Sequence, residues 1–424
     1  LGFSRNNGRL KEETDEMTKK LHKSGVTAAA GVQAAGIHAG FKKRKKDMAL
    51  LYFPDGATVA GVFTKNKVKA APVQYDQQVL QQHDRFKAIL INSGNANACT
   101  GKQGKADVEE TVKLLSTELN IQPEEVLVSS TGVIGMFMNM ETMKKGVKAI
   151  APEVSEFGGA AASKAIMTTD TVPKEVSFTF EVAGKTATIG GMVKGSGMIH
   201  PNLGTMLGYI TTDVAISQAA LHAMLLKAAD ATFNHATIDG DTSTNDSVFV
   251  AATGKLDNQL ISSADDAGYA EVEAAVLSIC SQLAQLLVKD GEGATKFVEV
   301  LVSGAKTVAD AVSIGKSVAT SSLVKTAMFG EDANWGRVIT AAGYADTEYF
   351  DADVIDIAFS SKNGEIQLCE AGMGVVFDEE LAKKILEADE INILIDLHLG
   401  TEAASTWTCD FSYDYVKINA DYRS

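Results

Sequence analysis

The chain has 424 residues, 45% hydrophobic and 22% charged, enough for two domains or one large layered unit. Its 54 acidic and 39 basic side chains leave a formal net charge of -15, which opposes nucleic acid or an anionic membrane as the main partner but not a small anionic substrate held by one pocket lysine. Cys99, Cys280, Cys369 and Cys409 are far apart, and the 7 histidines are scattered, so no disulfide or metal-site spacing is present and a reducing, cytoplasmic setting fits. No uninterrupted apolar run reaches bilayer-spanning length, and residues 1–23 mix both charge signs without the apolar centre of a secretory signal.

Residues 1–25 read as a polar N-terminal extension, with a surface helix over 9–23 at most. Residues 26–40 are rich in Ala and Gly, and the basic run 42–46 reads as a solvated turn. Apolar runs 48–53 and 58–63 flank Asp55-Gly56 and predict a hairpin. A strand over 86–92 enters the small polar loop 93–101, and a helix is expected next, over 106–119. The free N–H groups of that loop suit an anion or oxyanion, and equally a plain strand-to-helix turn. A strand over 125–128 leads into Ser129-Ser-Thr-Gly-Val-Ile-Gly135, by itself a tight turn. A helix is expected over 141–150, then an Ala-rich stretch ending at Thr168-Thr-Asp-Thr before Pro173. Residues 176–182 and 185–189 alternate as a hairpin on Ala183-Gly184 and deliver the chain to Lys194.

The glycine-rich loop 193–204 then meets the β-rich run 206–212, with Thr205 at the corner. A helix capped by Ser217 is expected over 217–233. The loop 238–248 carries three aspartates; it lacks the last carboxylate of a calcium hand and reads as a self-bonded turn between strands. A long helix over 266–288 ends at Lys289-Asp-Gly-Glu-Gly-Ala-Thr-Lys296, where Glu292 is an exposed acid suited to an ammonium, and a strand comes after it over 297–302. A helix over 307–318 leads to Phe329-Gly-Glu-Asp-Ala-Asn-Trp-Gly-Arg337, in which Trp335 reads as packing. Strands are expected over 354–359, 365–368 and 391–399, a helix over 379–387, and a strand with an ordered, docked end over 407–424. There is no internal repeat and no Gly/Ser/Pro linker.

Thr205 reads as an ordinary strand threonine or as something more reactive. If its hydroxyl cleaves the Gly204–Thr205 bond, Thr205 becomes an N-terminus whose own amine, with a reference pKa of about 7.7–8.0, can serve as base for that hydroxyl. The segment Lys194-Gly-Ser-Gly-Met-Ile-His-Pro-Asn-Leu-Gly-Thr205-Met-Leu closely resembles the self-cleavage segment of the ornithine acetyltransferase (glutamate N-acetyltransferase) family of arginine biosynthesis. The resemblance extends through Gly31-Val-Gln-Ala-Ala-Gly, Gly61-Val-Phe-Thr-Lys-Asn, Lys69-Ala-Ala-Pro, residues 92–101, Asp239-Gly-Asp-Thr-Ser-Thr-Asn-Asp and residues 329–337, and so over about residues 26–424.

This resemblance implies an α/β fold, a two-lobed αββα-type sandwich with mixed sheets, in a self-cleaving acyltransferase. It implies that residues 26–204 form an α fragment and 205–424 a β fragment, assembled as a heterotetramer of two copies of each. By the same resemblance, Thr205 is the nucleophile, and the Thr131 hydroxyl with the Gly132 N–H forms the oxyanion hole, where acyl transfer needs its donors. The family's substrate ligands correspond to Thr168, Lys194, Glu292, Asn419 and Ser424, Lys194 taking a carboxylate and Glu292 an ammonium. Gly204 stands where the family usually has Ala, and Ser424 where it has Thr. The reaction implied moves acetyl from N²-acetylornithine to glutamate through an acetyl-threonine, with no cofactor or metal and with acetyl-CoA left open as a second donor. Rival readings are a self-processing amidase or aminopeptidase using water, and a binding protein in which Thr205 is structural. The expected compartment is the cytoplasm, or the mitochondrial matrix in a eukaryote.

Overall fold

In the computed structural model, which describes residues 25–200 and 206–421, the hairpin expected at Asp55-Gly56 does not form. β2 (Met48–Phe63) runs through it as one 16-residue strand. Gly56 takes a φ of 76°, and the pairing with β3 (Arg85–Asn95) slips between Tyr52 and Ala57, so the Asp-Gly pair makes a bulge rather than a turn. Partners on both halves decide the matter. The first half of β2 pairs with β1 (Gln33–Ile37) and β3, and the second half with β8 (Ser247–Ala252).

That bent strand joins two sheet halves. With β4 (Val126–Val133), β5 (Lys174–Val182), β6 (Lys185–Lys194) and β7 (Leu207–Thr212), the order is β4-β3-β2-β8-β7-β6-β5 with β1 beside β2. The pairs β3/β4 and β7/β8 are parallel and the rest antiparallel, so the sheet is mixed. Alternation along the strands sends Leu51, Phe53, Val59, Ile89, Tyr209 and Phe249 into one shared inner core. Tyr209 and Phe249 stack there, and each fully buried aromatic contributes roughly 1.5–3 kcal/mol.

The opposite faces bury elsewhere. Leu50, Leu90 and Val128 pack with α2 (Gly101–Leu119) and α3 (Met140–Ile150), with α1 (Ala71–Leu80) beside them. Val62, Val193, Ile210 and Val250 pack with α5 (Gln218–Ala231) and α6 (Tyr269–Lys289). α4 (Gly159–Ile166) closes the inner core through Ala162, Ala165 and Ile166. The layering is therefore helix, sheet, sheet, helix. α6 is long and apolar enough to cross a bilayer by length and composition, but its Val272, Ile279, Leu283 and Leu287 are wholly buried on the sheet. Ser217 caps α5 by accepting from the Ala220 N–H, as its sequence position predicts.

The second lobe is a 6-stranded mixed sheet, ordered β12-β11-β10-β13-β9-β14. Its strands are β9 (Phe297–Ala305), β10 (Asp356–Ser361), β11 (Gly364–Glu370), β12 (Met373–Gly374), β13 (Glu390–Asp396) and β14 (Glu402–Cys409). α7 (Val308–Thr320), α8 (Ser322–Phe329), α9 (Trp335–Gly343) and α10 (Glu379–Leu386) enclose a separate core, against which Trp335 packs. After β14 the chain forms a helix, α11 (Tyr413–Asp421), where the sequence predicts a strand; residues 422–424 lie outside the described residues. The helix expected over 9–23 lies outside the described residues.

Candidate active site

Strand ends gather at one end of the sandwich. The register sets Lys194, the last residue of β6, beside Leu207 at the start of β7, and Leu207 beside Ser247 at the start of β8. The end of β4 lies across the inner core and contributes Thr131 and Gly132. Between them is a cavity of about 210 Å³, and Thr131, Gly132, Thr168, Lys194, Glu292 and Asn419 all line it. Six residues spread from 131 to 419 thus meet at one cavity. Gly204, Thr205 and Ser424 lie outside the described residues; Met206, which comes after Thr205 in the chain, is buried and lines the cavity.

Gly132 has a φ of 131°, and a Cβ there would stand 2.4 Å from the Gly94 carbonyl carbon and 2.6 Å from the Asn95 nitrogen. Only glycine lets β4 lie this close to β3. The Lys194 ammonium donates to Thr131 Oγ1 at 3.4 Å, which occupies a lone pair and leaves the threonine O–H free to point into the cavity. Thr131 and Gly132 thus stand side by side on the cavity wall; a hydroxyl and an N–H are the donor types that an oxyanion takes. The loop 93–101 is a structural turn. Asn95 donates to the Met136 and Phe137 carbonyls and Asn97 to that of Gly104, and none of these loop residues lines the cavity.

Lys194 is 8% exposed. Burial pushes its ammonium pKa down, Asp170, Asp246 and Glu292 push it back up, and Lys174 lowers it further. The sequence suggests that Glu292 is an exposed corner acid; it is buried, because the turn at 290–293 folds inward and the Glu292 N–H donates to the Ser196 carbonyl at 2.7 Å. A Cβ on Gly197 would stand 2.4 Å from the Glu292 carboxyl carbon, so this glycine makes room for the acid. Asn419, on α11, donates to Glu292 Oε2 at 2.8 Å, and this bond docks the C-terminal helix over the cavity.

The three-aspartate loop is less self-contained than its sequence suggests. The Asp239 carboxylate accepts from the Met198 and Ile199 N–H groups at 2.6 and 2.9 Å, and Asn245 donates to the Ala96 and Ser130 carbonyls. The loop precedes β8 but comes after a short 3-10 turn, Phe233–His235, rather than a strand. Asp239, Asp241 and Asp246 all line the cavity. Burial pushes the Asp246 pKa well up, opposed by a hydrogen bond from Ser243 and by the Lys194 charge. Sequence pattern does not single out Asp170, Lys174 and Asp290, which form a buried charged cluster behind the cavity. Their one local signal is the Asp170/Lys174 spacing of four residues.

A cavity lined by a Thr-Gly pair, a buried lysine and a buried acid has the groups that acyl transfer on a small molecule bearing both charges would use. The family match agrees. The model of the ArgJ family matches residues 33–424, and the chain belongs to that family. It is 46% identical over 397 residues to the arginine biosynthesis bifunctional protein ArgJ of Caldanaerobacter subterraneus subsp. tengcongensis, covering 93% of this chain and 97% of that one. It is 45% identical over 405 residues to the glutamate N-acetyltransferase of Methanocaldococcus jannaschii, covering 94% and 98%. A crystal structure of the Bacillus halodurans bifunctional protein ArgJ is 41% identical, covers 51% of this chain and 100% of its own, and has a TM-score of 0.49.

Proposed function

We propose that this enzyme transfers acetyl from N²-acetylornithine to glutamate, releasing ornithine and N-acetylglutamate in arginine biosynthesis. The observation that carries this reading is the convergence of Thr131, Gly132, Lys194 and Glu292 on one cavity beside Met206. Thr205 Oγ first attacks the Gly204 carbonyl, the peptide C–N bond breaks as the Thr205 amine leaves, and water hydrolyses the resulting Gly204–Thr205 ester, giving the fragments 1–204 and 205–424 with the Thr205 amine and hydroxyl free. Its freed amine then takes the proton as Thr205 Oγ attacks the donor amide, while Thr131 and Gly132 hold the oxyanion. Lys194 takes the donor carboxylate and Glu292 the side-chain ammonium, with Thr168, Asn419 and Ser424 completing the pocket. Ornithine leaves, and the glutamate amine attacks the acetyl-threonine. Two copies of each fragment form the working assembly, in a reducing compartment that suits four free cysteines.

The test pairs intact mass with a transfer assay. Denatured protein gives two species of roughly 22 and 23 kDa, the 44.8 kDa total shared between 204 and 220 residues, and glutamate accelerates ornithine release. Ornithine release that ignores glutamate would favour the hydrolytic rival. Gly197→Ala tests the role of Glu292. The new Cβ displaces the carboxylate while the backbone stays, so the acetylornithine KM rises about tenfold with a smaller change in kcat. Unchanged KM would remove Glu292 from ammonium binding.

A further inference from the structure

Three of the cavity's binding residues, Thr168, Lys194 and Glu292, come from segments distant in sequence, and each segment runs into the same buried cluster. Asp170 Oδ2 accepts from the Thr168 N–H at 2.9 Å. Asp170 Oδ1 accepts from the Gly195 N–H, next after Lys194, at 2.8 Å, and from the Lys174 ammonium at 2.7 Å. Lys174 continues to Asp290 Oδ2 at 2.5 Å. Asp290 lies two residues before Glu292 and also accepts from the Thr171 N–H and hydroxyl. Asp170 and Lys174 are each 2% exposed and Asp290 is 8% exposed.

Burying four charges is costly unless they are paired and hydrogen-bonded, and here the two carboxylates match the ammonium groups of Lys174 and Lys194. Packing alone does not need them: an apolar cluster of the same volume would hold these segments as well. We propose that Asp170 is a positioning residue of the acyl-transfer pocket, which ties the Thr168, Lys194 and Glu292 segments together and keeps Lys194 charged for the substrate carboxylate. This rests on the acyl-transfer reading above and goes beyond it, because Asp170 does not line the cavity.

The electrostatics give this role a sign. Burial works against the Asp170 charge, but Lys194 and Lys174, with the Lys174 hydrogen bond, outweigh it and hold the carboxyl well below the usual range. Asp170 is therefore an anion at all working pH values. The groups that act on Lys194 are Asp170, Asp246 and Glu292, which favour its charge, and Lys174, which disfavours it; Lys42, on the neighbouring loop, is a further nearby cation. Asp170→Asn removes a favouring charge and keeps the side-chain shape. Lys174→Met removes a disfavouring one. A role in setting the Lys194 charge therefore moves the two variants in opposite directions.

The experiment is calorimetric binding of the product ornithine, from about pH 6 to about pH 9, to protein whose mass shows the same cleavage state in every variant. Ornithine's own titration is common to all, so differences between variants belong to the protein. In Asp170→Asn the loss of affinity with rising pH starts at lower pH than in the parent protein. In Lys174→Met the same loss moves to higher pH. If either variant fails to fold, the direction shown by the other decides. Variants that bind more weakly by the same factor at every pH, or that shift the same way, would overturn the proposal and leave a structural cluster. A parent protein that binds no ornithine at any pH would overturn the acyl-transfer reading and this inference with it, a result distinct from unshifted variants of a binding-competent protein.

Discussion

Thr205→Ala yields a single species at 44.8 kDa with no measurable acetyl transfer, a loss on the order of a millionfold in kcat. The expectation is this large because, in the proposed scheme, one hydroxyl serves two steps. It attacks the Gly204 carbonyl to cut the chain, and the cut creates the amine that later activates the same hydroxyl. Alanine removes the nucleophile from both steps and prevents its base from forming. Thr205→Ser keeps the hydroxyl and restores two fragments with slower turnover. Gly204→Ala separates the remaining variable. It places the family's usual residue before the threonine, and the mass spectrum then shows cleavage at an equal or higher rate. An uncut Thr205→Ala protein that still releases ornithine in response to glutamate would end the scheme, since none of the described residues that line the cavity is assigned as nucleophile.

Ser129-Ser-Thr-Gly reads by itself as a tight turn and Lys289-Asp-Gly-Glu-Gly as an exposed corner; the family resemblance is what singles out Thr131, Gly132 and Glu292, and all three line the cavity. Helices with a cap residue and a sustained apolar stripe, such as α5 after Ser217, are plain in the sequence itself. Asp55-Gly56 misleads because an Asp-Gly pair satisfies a hairpin turn and a strand bulge alike; β8, which starts only at Ser247, decides between them. Asp170 is invisible in the sequence for a similar reason. Its partners are the Gly195 N–H, the Lys174 ammonium and, through Lys174, Asp290. Only the packed sandwich brings 170, 195 and 290 together. The exposure of Glu292 cannot be read from its own glycine-flanked turn, because its burial depends on Gly197 leaving space opposite it.

Gly132→Ala is expected to cost about a hundredfold to a thousandfold in both self-cleavage and transfer. Two effects combine. The φ of 131° is one that alanine resists, at roughly 1–3 kcal/mol, and the new methyl group meets the Gly94 and Asn95 backbone at 2.4–2.6 Å. β4 must then draw away from β3 or rotate, and either movement displaces the Gly132 N–H from the place that its proposed oxyanion role needs. Gly94→Ala is the control. It sits opposite on β3 with a φ of 110°, and its Cβ would lie 3.1 Å from the Phe41 carbonyl oxygen, so it is strained yet leaves the Gly132 N–H in place. Thermal melts and intact-mass time courses of both variants separate strain from lost donation. Equal destabilisation with a much larger activity loss in Gly132→Ala supports the donor role. Equal activity losses would mean that backbone strain at the β3/β4 contact accounts for the effect, and that the oxyanion is held by other groups.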